Sequence, residues 1–415
     1  MNDQTRGDNE ATGRQPLAGV KVVDFTWVIA GPASTAVLGD HGAQVIHVES
    51  PHRPDPTRTG GPFKDRKAGL NRSAMFANFN RNKYSLCISL DHPDSKPIIE
   101  KLVKWADIVA ECFTPGVMER RGLGYNDLAK LNPGLIMISL SMQGHDGPMA
   151  RMPGFGDQLA ALAGFVNLTG WPDRDPLIPF SAYTDTIVPY FAAAAILAGL
   201  DYRSRTGKGQ YIDMSHMETG LQFLAPPVLD FVTNSRDARR AGNRCDRAVP
   251  HGVFHCKGND RWCAIAVTSD EDWMGLCRAI GNPAWTAKPE FGTFLGRKQR
   301  EDELDRLLGE WTSQHTAEEI MNVLQGCGVP AGVVQNSKDL HEDPQLAHRE
   351  HFWIINHPEM GLHSCDAPAF KLMGTPADLR SPAPCFGQDN EYICTKLLGF
   401  PDEDFVALSG SGVFG

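Results

Sequence analysis

The chain has 415 residues, 41% of them hydrophobic and 22% charged, with a net charge of −10. This is the make-up of an ordinary folded protein of two or three domains, and the negative balance speaks against a broad phosphate-backbone interface with DNA or RNA. The ten cysteines form no CxxC pair, so zinc-knuckle and thioredoxin readings have no support and most read as reduced core residues.

Residues 1–15 are polar, without the apolar stretch of a signal peptide, and read as a loose tail. "GVKVVDF" (Gly19–Phe25) is a β-rich run, "PASTAVLGDHGA" (Pro32–Ala43) a helix and "QVIHVES" (Gln44–Ser50) a second strand. The pattern continues with a strand in "YSLCISLD", a helix in "SKPIIEKLVKWA" and a strand in "DIVAECF". A short helix in "GVMERRGL", another in "YNDLAKLNP" and a strand in "LIMISLSM" follow. Alternating strands and helices predict a doubly wound, Rossmann-like α/β domain. Helical stretches at 158–164 and 186–200 precede one more strand, "YIDMS" (Tyr211–Ser215). The span 226–249 reads as a linker. Residues 250–345 read as a smaller α+β domain that opens on a hairpin turning at Gly258-Asn259-Asp260, with Thr316 capping a later helix. Residues 346–415 read as a return to the large domain. The longest apolar run, Tyr190–Leu200, is about half the roughly 20 residues of a membrane span, so the expectation is a cytoplasmic protein without membrane contact.

The familiar catalytic signatures are missing. "FTWVIAGP" follows the first strand in place of GxGxxG, and no P-loop, GxSxG or HExxH occurs. His348 and His351 in "HREH" lack a third ligand, so no metal is expected. One carboxylate stands out: Asp185 in "AYTDTIVPYFAAAAILAGL", just ahead of a run of small residues. Thr184 or Asp185 reads as a helix cap, with Pro189 in the first turn. The same position, stabilised by the helix dipole, suits a nucleophile toward an activated acyl carbon. Local sequence does not choose between the two.

Taken together, the segments "PLAGVKVVDFTWVIAGPASTAVLGDHGAQVIHVE", "ADIVAECFTPGVMERRGLGY", "PGFGDQLAALAGF" and "SRTGKGQYIDMS", with "APAFKLMGTPADLRSPAP" near the end, resemble the family III CoA-transferases. The resemblance runs from about Pro16 to about Phe400. It implies a Rossmann-like large domain, a smaller inserted domain and an interlocked dimer. It places the nucleophile at Asp185, with Asp157 in "GFGDQ" as the rival carboxylate. The implied chemistry passes CoA between acids through an aspartyl mixed anhydride and an aspartyl-CoA thioester. No tightly bound cofactor is implied; acyl-CoA and a carboxylic acid are the substrates.

The resemblance also carries over CoA contacts: Ile29 and Ala30 near the pantetheine end, Leu90 and Asp91 near adenine and ribose, Cys112 and Phe113 flanking the nucleotide, and Arg120 on phosphate. Ile29, Ser50 and Gly60 depart from the residues of formyl-CoA transferase. These departures argue against formate or oxalate and toward a larger acid. Trp27, Gly60 and His251 are the expected acceptor-pocket residues. "FTWVIAGP", "AYTDTIVP", "PHGVFHCKG" and "GQDNEYI" are most similar to the branch with succinyl-CoA:(R)-benzylsuccinate CoA-transferase, in which two homologous subunits pair. That implies succinyl-CoA as donor, an aryl-substituted succinate as acceptor, and a homodimer or a heteromer. Two other readings remain: an acyl-CoA racemase using His145 and Asp146 in "QGHDGP", and a non-catalytic CoA-binding partner subunit.

Overall fold

The structure is a computed structural model that describes residues 15–180 and 182–415. Apart from Gln15, the expected tail lies outside the described residues. The chain divides into two compact units, one running to Val166 with Ile178–Asp237 and Ala347–Gly415, the other made of Asn167–Leu177 and Ala238–Leu346.

The first unit is built on a six-stranded sheet of β1 (Lys21–Asp24), β2 (Gln44–Glu49), β3 (Lys83–Cys87), β4 (Ile108–Glu111), β5 (Ile136–Ser141) and β6 (Gln210–Ser215). The strand order is β3-β2-β1-β4-β5-β6, and every pairing is parallel. Strands β1, β2, β4 and β5 are rich in Val and Ile and almost wholly buried, because helices cover both faces, whereas the edge strand β6 is only partly buried. One face carries Ile98, Leu102 and Val103 of the helix Ser95–Trp105. The other carries helix α1 (Ala30–Asp40) and Val188, Ala192 and Ile196 of the helix Tyr183–Thr206. Strand order reverses between β1 and β4, the place where open α/β sheets bind ligands beyond the strands' carboxyl ends.

The Tyr183–Thr206 helix differs from the sequence reading. It starts three residues earlier than expected, runs 24 residues, and by length and composition alone is apolar enough to cross a membrane. Polar ends carry it well beyond the apolar run. Its buried face joins the sheet core, and Gly199 sets the spacing there: a Cβ would meet Gln210 Nε2 at 3.2 Å and Ile136 at 3.4 Å. Neither Thr184 nor Asp185 is the cap. Ala182 holds that position without a side-chain bond, and Asp185 lies in the first turn, its N–H donating to Ala182 O at 2.8 Å. Pro189 sits in the second turn rather than the first. Without an N–H, it removes the helical bond that the Asp185 carbonyl would accept.

The second unit holds the antiparallel sheet β7 (His251–His255), β8 (Trp262–Ala266) and β9 (Ala331–Val333). The β7–β8 turn places Gly258 at φ +121°, in the region that favours glycine. Ser269 and Thr316 cap two helices that pack on this sheet, Asp270–Ala279 and Ala317–Gly326. The span read as a linker, 226–249, opens inside the helix Ala225–Asn234, so irregular chain begins only at Ser235. The hairpin of β10 (Phe352–His357) and β11 (Gly361–Asp366) belongs to the first unit.

Candidate active site

The connection after β1 is tied down by buried charge. Asp24 is fully buried and accepts from Thr26 N–H (2.9 Å), Thr35 Oγ1 (2.7 Å) and Lys83 Nζ (2.9 Å). Burial alone would raise its pKa; the Lys83 ammonium and the His47 and Thr26 hydrogen bonds outweigh that and hold the carboxyl well below the usual range. Lys83 also donates to Pro32 O in the first turn of α1. The loop therefore leaves the sheet in one fixed direction. Val28 adopts φ +71°, a costly conformation for a β-branched residue, held by its N–H donating to Asp55 Oδ2 at 3.0 Å. Gly31 is required next: a Cβ there would overlap Thr26 at 2.3 Å.

An open cleft of about 160 Å³ lies where the strand order reverses. Trp27, Ile29 and Ala30 wall it from the β1 side, and Cys112 and Phe113 from the end of β4. Trp27 meets Phe113 edge to face at 5.6 Å, and the Arg53 guanidinium sits 4.6 Å above its ring. Cys112 Sγ accepts from Trp27 N–H at 3.3 Å, and burial pushes its thiol pKa well up, which disfavours a nucleophilic thiolate. The far wall carries Ser141, Gly156, Asp185 and His216. Among the described residues Asp185 is the only carboxylate in the wall. Its Oδ1 lies 3.7 Å from His216 Nδ1. Gly156 packs so closely that a Cβ would lie 3.0 Å from Asp185 Oδ2 and 2.2 Å from Ala182 Cβ.

Six of the expected site residues thus come together: Trp27, Ile29, Ala30, Cys112, Phe113 and Asp185. The other five do not line the cleft. Leu90 and Asp91 follow β3, and Asp91 pairs with Arg121 at 3.1 Å. Arg120 ends the short helix Val117–Arg120. Gly60 follows the helix Pro56–Thr59, its carbonyl accepting from Ser73 Oγ at 2.8 Å. His251 opens β7 in the second unit, with Nδ1 2.6 Å from Asn243 O. The rival Asp157 is exposed and outside the wall. His145 and Asp146 line a second cavity, with Tyr125, Arg151 and Tyr211. There His145 Nε2 stands 3.5 Å from Glu111 Oε1, and burial raises the Glu111 pKa to about 7. Among the described residues no group of three or more His, Cys, Asp or Glu side chains is placed to hold a metal ion.

Sequence reasoning missed His216, Ser141 and Gly156. Ser141 ends β5, and His216 directly follows the last residue of β6. The usable signal was position: the carboxyl ends of parallel strands point into the ligand crevice.

The family model described as CoA-transferase family III matches residues 17–390. Succinyl-CoA–D-citramalate CoA-transferase of Chloroflexus aurantiacus is 32% identical, over 96% of this chain and 98% of its own. Succinyl-CoA:glutarate CoA-transferase of Mus musculus is 31% identical over 98% of this chain and 92% of its own. Among solved structures, a CAIB/BAIF family protein from Brucella suis superposes with a TM-score of 0.85 at 29% identity, covering 92% of this chain and all of that one.

Proposed function

The chain belongs to CoA-transferase family III and is an enzyme of that class, and from this premise we propose that it moves CoA from succinyl-CoA to a second carboxylic acid through Asp185. The observation that carries the role of Asp185 is its standing as the one carboxylate among the described residues of the cleft wall. Its carboxylate attacks the thioester carbonyl, forming a mixed anhydride and releasing CoA thiolate. The thiolate attacks the aspartyl carbonyl, giving an aspartyl-CoA thioester and freeing succinate. The acceptor carboxylate then takes the same path in reverse. One thioester is exchanged for another, so the net free-energy change is small and no nucleotide is consumed.

The cleft takes the reacting end of the acyl-CoA, beside Asp185. Ile29 and Ala30 meet the pantetheine, Cys112 and Phe113 the nucleotide side. Leu90, Asp91 and Arg120, outside the cleft, extend that track toward ribose and phosphate. Trp27 in the cleft wall, with Gly60 from the same unit, shapes the acceptor site. For the acceptor we propose a dicarboxylic acid. The named relatives act on citramalate and glutarate, which favours an aliphatic one. The aryl-substituted succinate suggested by the sequence segments stands as one arm of the test. A second chain, identical or homologous, covers the apolar residues left exposed on the Tyr183–Thr206 helix (Tyr190, Phe191, Leu197) and on the Ala225–Asn234 helix (Leu229, Phe231, Val232).

The test is incubation with succinyl-CoA and a panel of acids (citramalate, glutarate, malate, benzylsuccinate), with hydroxylamine trapping and peptide mass spectrometry. A hydroxamate at Asp185 is expected. Undiminished turnover by Asp185→Ala would sink the reading, and exchange of an α-proton with solvent without an acceptor acid would move it to a racemase.

A further inference from the structure

The far wall of the cleft holds two polar groups that the described residues leave uncommitted. Ser141 Oγ and His216 Nε2 are buried, and neither has a hydrogen-bond partner among the described residues. Both side chains line the cleft with Asp185. Their nearness follows from register. Ser141 pairs with Ser215 at the end of the β5–β6 ladder, and Met217 N–H donates to Met142 O at 3.0 Å just beyond it. His216 is therefore held between two fixed points, one step past the residue opposite Ser141. Its Nδ1 is 3.7 Å from Asp185 Oδ1. That is too long for a hydrogen bond and too short to hold a water between them. The imidazole stands beside the nucleophile without being consumed by it. A buried polar atom with no partner costs on the order of 1–3 kcal/mol, so a chain that keeps two in one wall calls for a ligand that satisfies them.

Resting on the Asp185 reading, we propose that Ser141 and His216 are further catalytic residues: the donors that hold negative charge as it leaves the Asp185 carboxylate. The charge has a definite path. When the Asp185 oxygen bonds to the acyl carbon, one negative charge moves to the thioester oxygen. When the carbon–sulfur bond breaks, the same charge moves to the CoA sulfur. The sulfur then bonds to the Asp185 side-chain carbonyl carbon, the anhydride carbon–oxygen bond breaks, and the charge departs on succinate. No proton is gained or lost, so neutral donors suffice: a hydroxyl and one imidazole N–H. Donors set beforehand around a moving charge are the arrangement that lowers such barriers most.

The experiment measures formation of the Asp185–CoA adduct in a single turnover with succinyl-CoA, alongside kcat and KM, using the full chain. His216→Leu is expected to slow adduct formation by about 10²–10³-fold. The KM for succinyl-CoA should move by less than about threefold, because the lost contact exists only once charge has moved. His216→Gln keeps a donor and should recover part of the rate; Ser141→Ala should lose about tenfold. An adduct formed at the full rate by His216→Leu, or a loss confined to KM, overturns the proposal. Should His216→Leu fail to fold, Ser141→Ala, which deletes one oxygen atom, decides: a full rate there overturns the pair. Failure of the underlying reading looks different, since the unaltered enzyme would then form no adduct on Asp185.

Discussion

The two flanks of the cleft differ in how their buried ions are paired, though His47 Nε2 on β2 also has no hydrogen-bond partner among the described residues. On the β1–β2 flank the ions are matched. Asp24 meets Lys83, and the fully buried Arg58 gives Glu49 three bonds of 2.9, 3.1 and 2.7 Å, donates to Asn71 Oδ1 and stacks 3.6 Å over Phe76. On the β5–β6 flank Ser141 and His216 keep unmatched atoms beside Asp185. Matched charge fixes the loop that receives the ligand; unmatched polar atoms wait for the ligand itself. The difference separates a scaffold from a reacting surface within one pocket.

If that division is right, substitutions on the two flanks fail in different ways. The largest loss belongs to Asp185→Asn, nearly isosteric and without the nucleophilic charge: activity should drop on the order of 10⁴-fold or more, with urea unfolding unchanged. On the other flank, Lys83→Met strands a buried Asp24 carboxylate. It should cost about 3–5 kcal/mol of stability, read by urea unfolding, while the folded fraction still forms the Asp185 adduct. The deficit has a pH signature. The Asp24 pKa is lowered in the folded state, so its contribution is present above the unfolded value of 3.8 and fades as pH falls below it. The gap between Lys83→Met and the unaltered chain should therefore narrow in acid.

Glu111 lies between these extremes. Its Oε2 accepts from Phe113 N–H at 2.7 Å and so braces a cleft wall, yet burial lifts its pKa from 4.5 to about 7. Ser139, Glu119, Asp213 and His145 surround it. The folded chain keeps the proton up to about pH 7, whereas the unfolded chain releases it near 4.5. The native state thus loses stability as pH rises through that window. Glu111→Gln removes the titration, so relative to the unaltered chain it should gain roughly 3 kcal/mol between pH 4.5 and 8. Unfolding curves at the two ends of the range measure it; a constant offset would count against the pKa rise.

The sheet was legible because its code is local. Buried parallel strands are short apolar runs, and β1, β2, β4 and β5 appear as such runs between turn residues; the half-exposed β6, QYIDMS, shows only through its place after the turn at Gly207–Gly209. The near wall of the cleft was legible for the same reason, since "FTWVIAGP" and "ECFTP" follow directly on strands. Asp185 was legible only through the resemblance of many segments, because nothing beside it in the sequence differs from a helix start. Its neighbours were not. Ser141, Gly156, Asp185 and His216 lie on four separate elements, and only the β5–β6 register and the close approach of the Gly156 turn to Ala182 bring them together. The helix start was misplaced because no side chain caps it: Thr184 is buried, its hydroxyl without a partner among the described residues. The long apolar helix likewise hid its polar continuation, which packing rather than composition decides.

The smallest and most local test is Gly156→Ala. Gly156 has no left-handed torsion to explain it, so its value lies in space alone. An added methyl would sit 2.2 Å from Ala182 Cβ and 3.0 Å from Asp185 Oδ2, and Ala182 immediately precedes the helix that carries Asp185. Something must move, and the start of that helix is nearer than any flexible side chain. A displacement of about 1 Å at the nucleophile is worth around 10²-fold in rate. Ala is also the best helix former, and the position begins the helix Gly156–Leu162, so the substitution does not weaken that element. The expected outcome is a kcat lower by up to about 10²-fold with succinyl-CoA binding preserved. Should Gly156→Ala turn over at the full rate, the β5–β6 flank would be looser than its packing implies, and the contrast with the braced β1–β2 flank would rest on Asp185 alone.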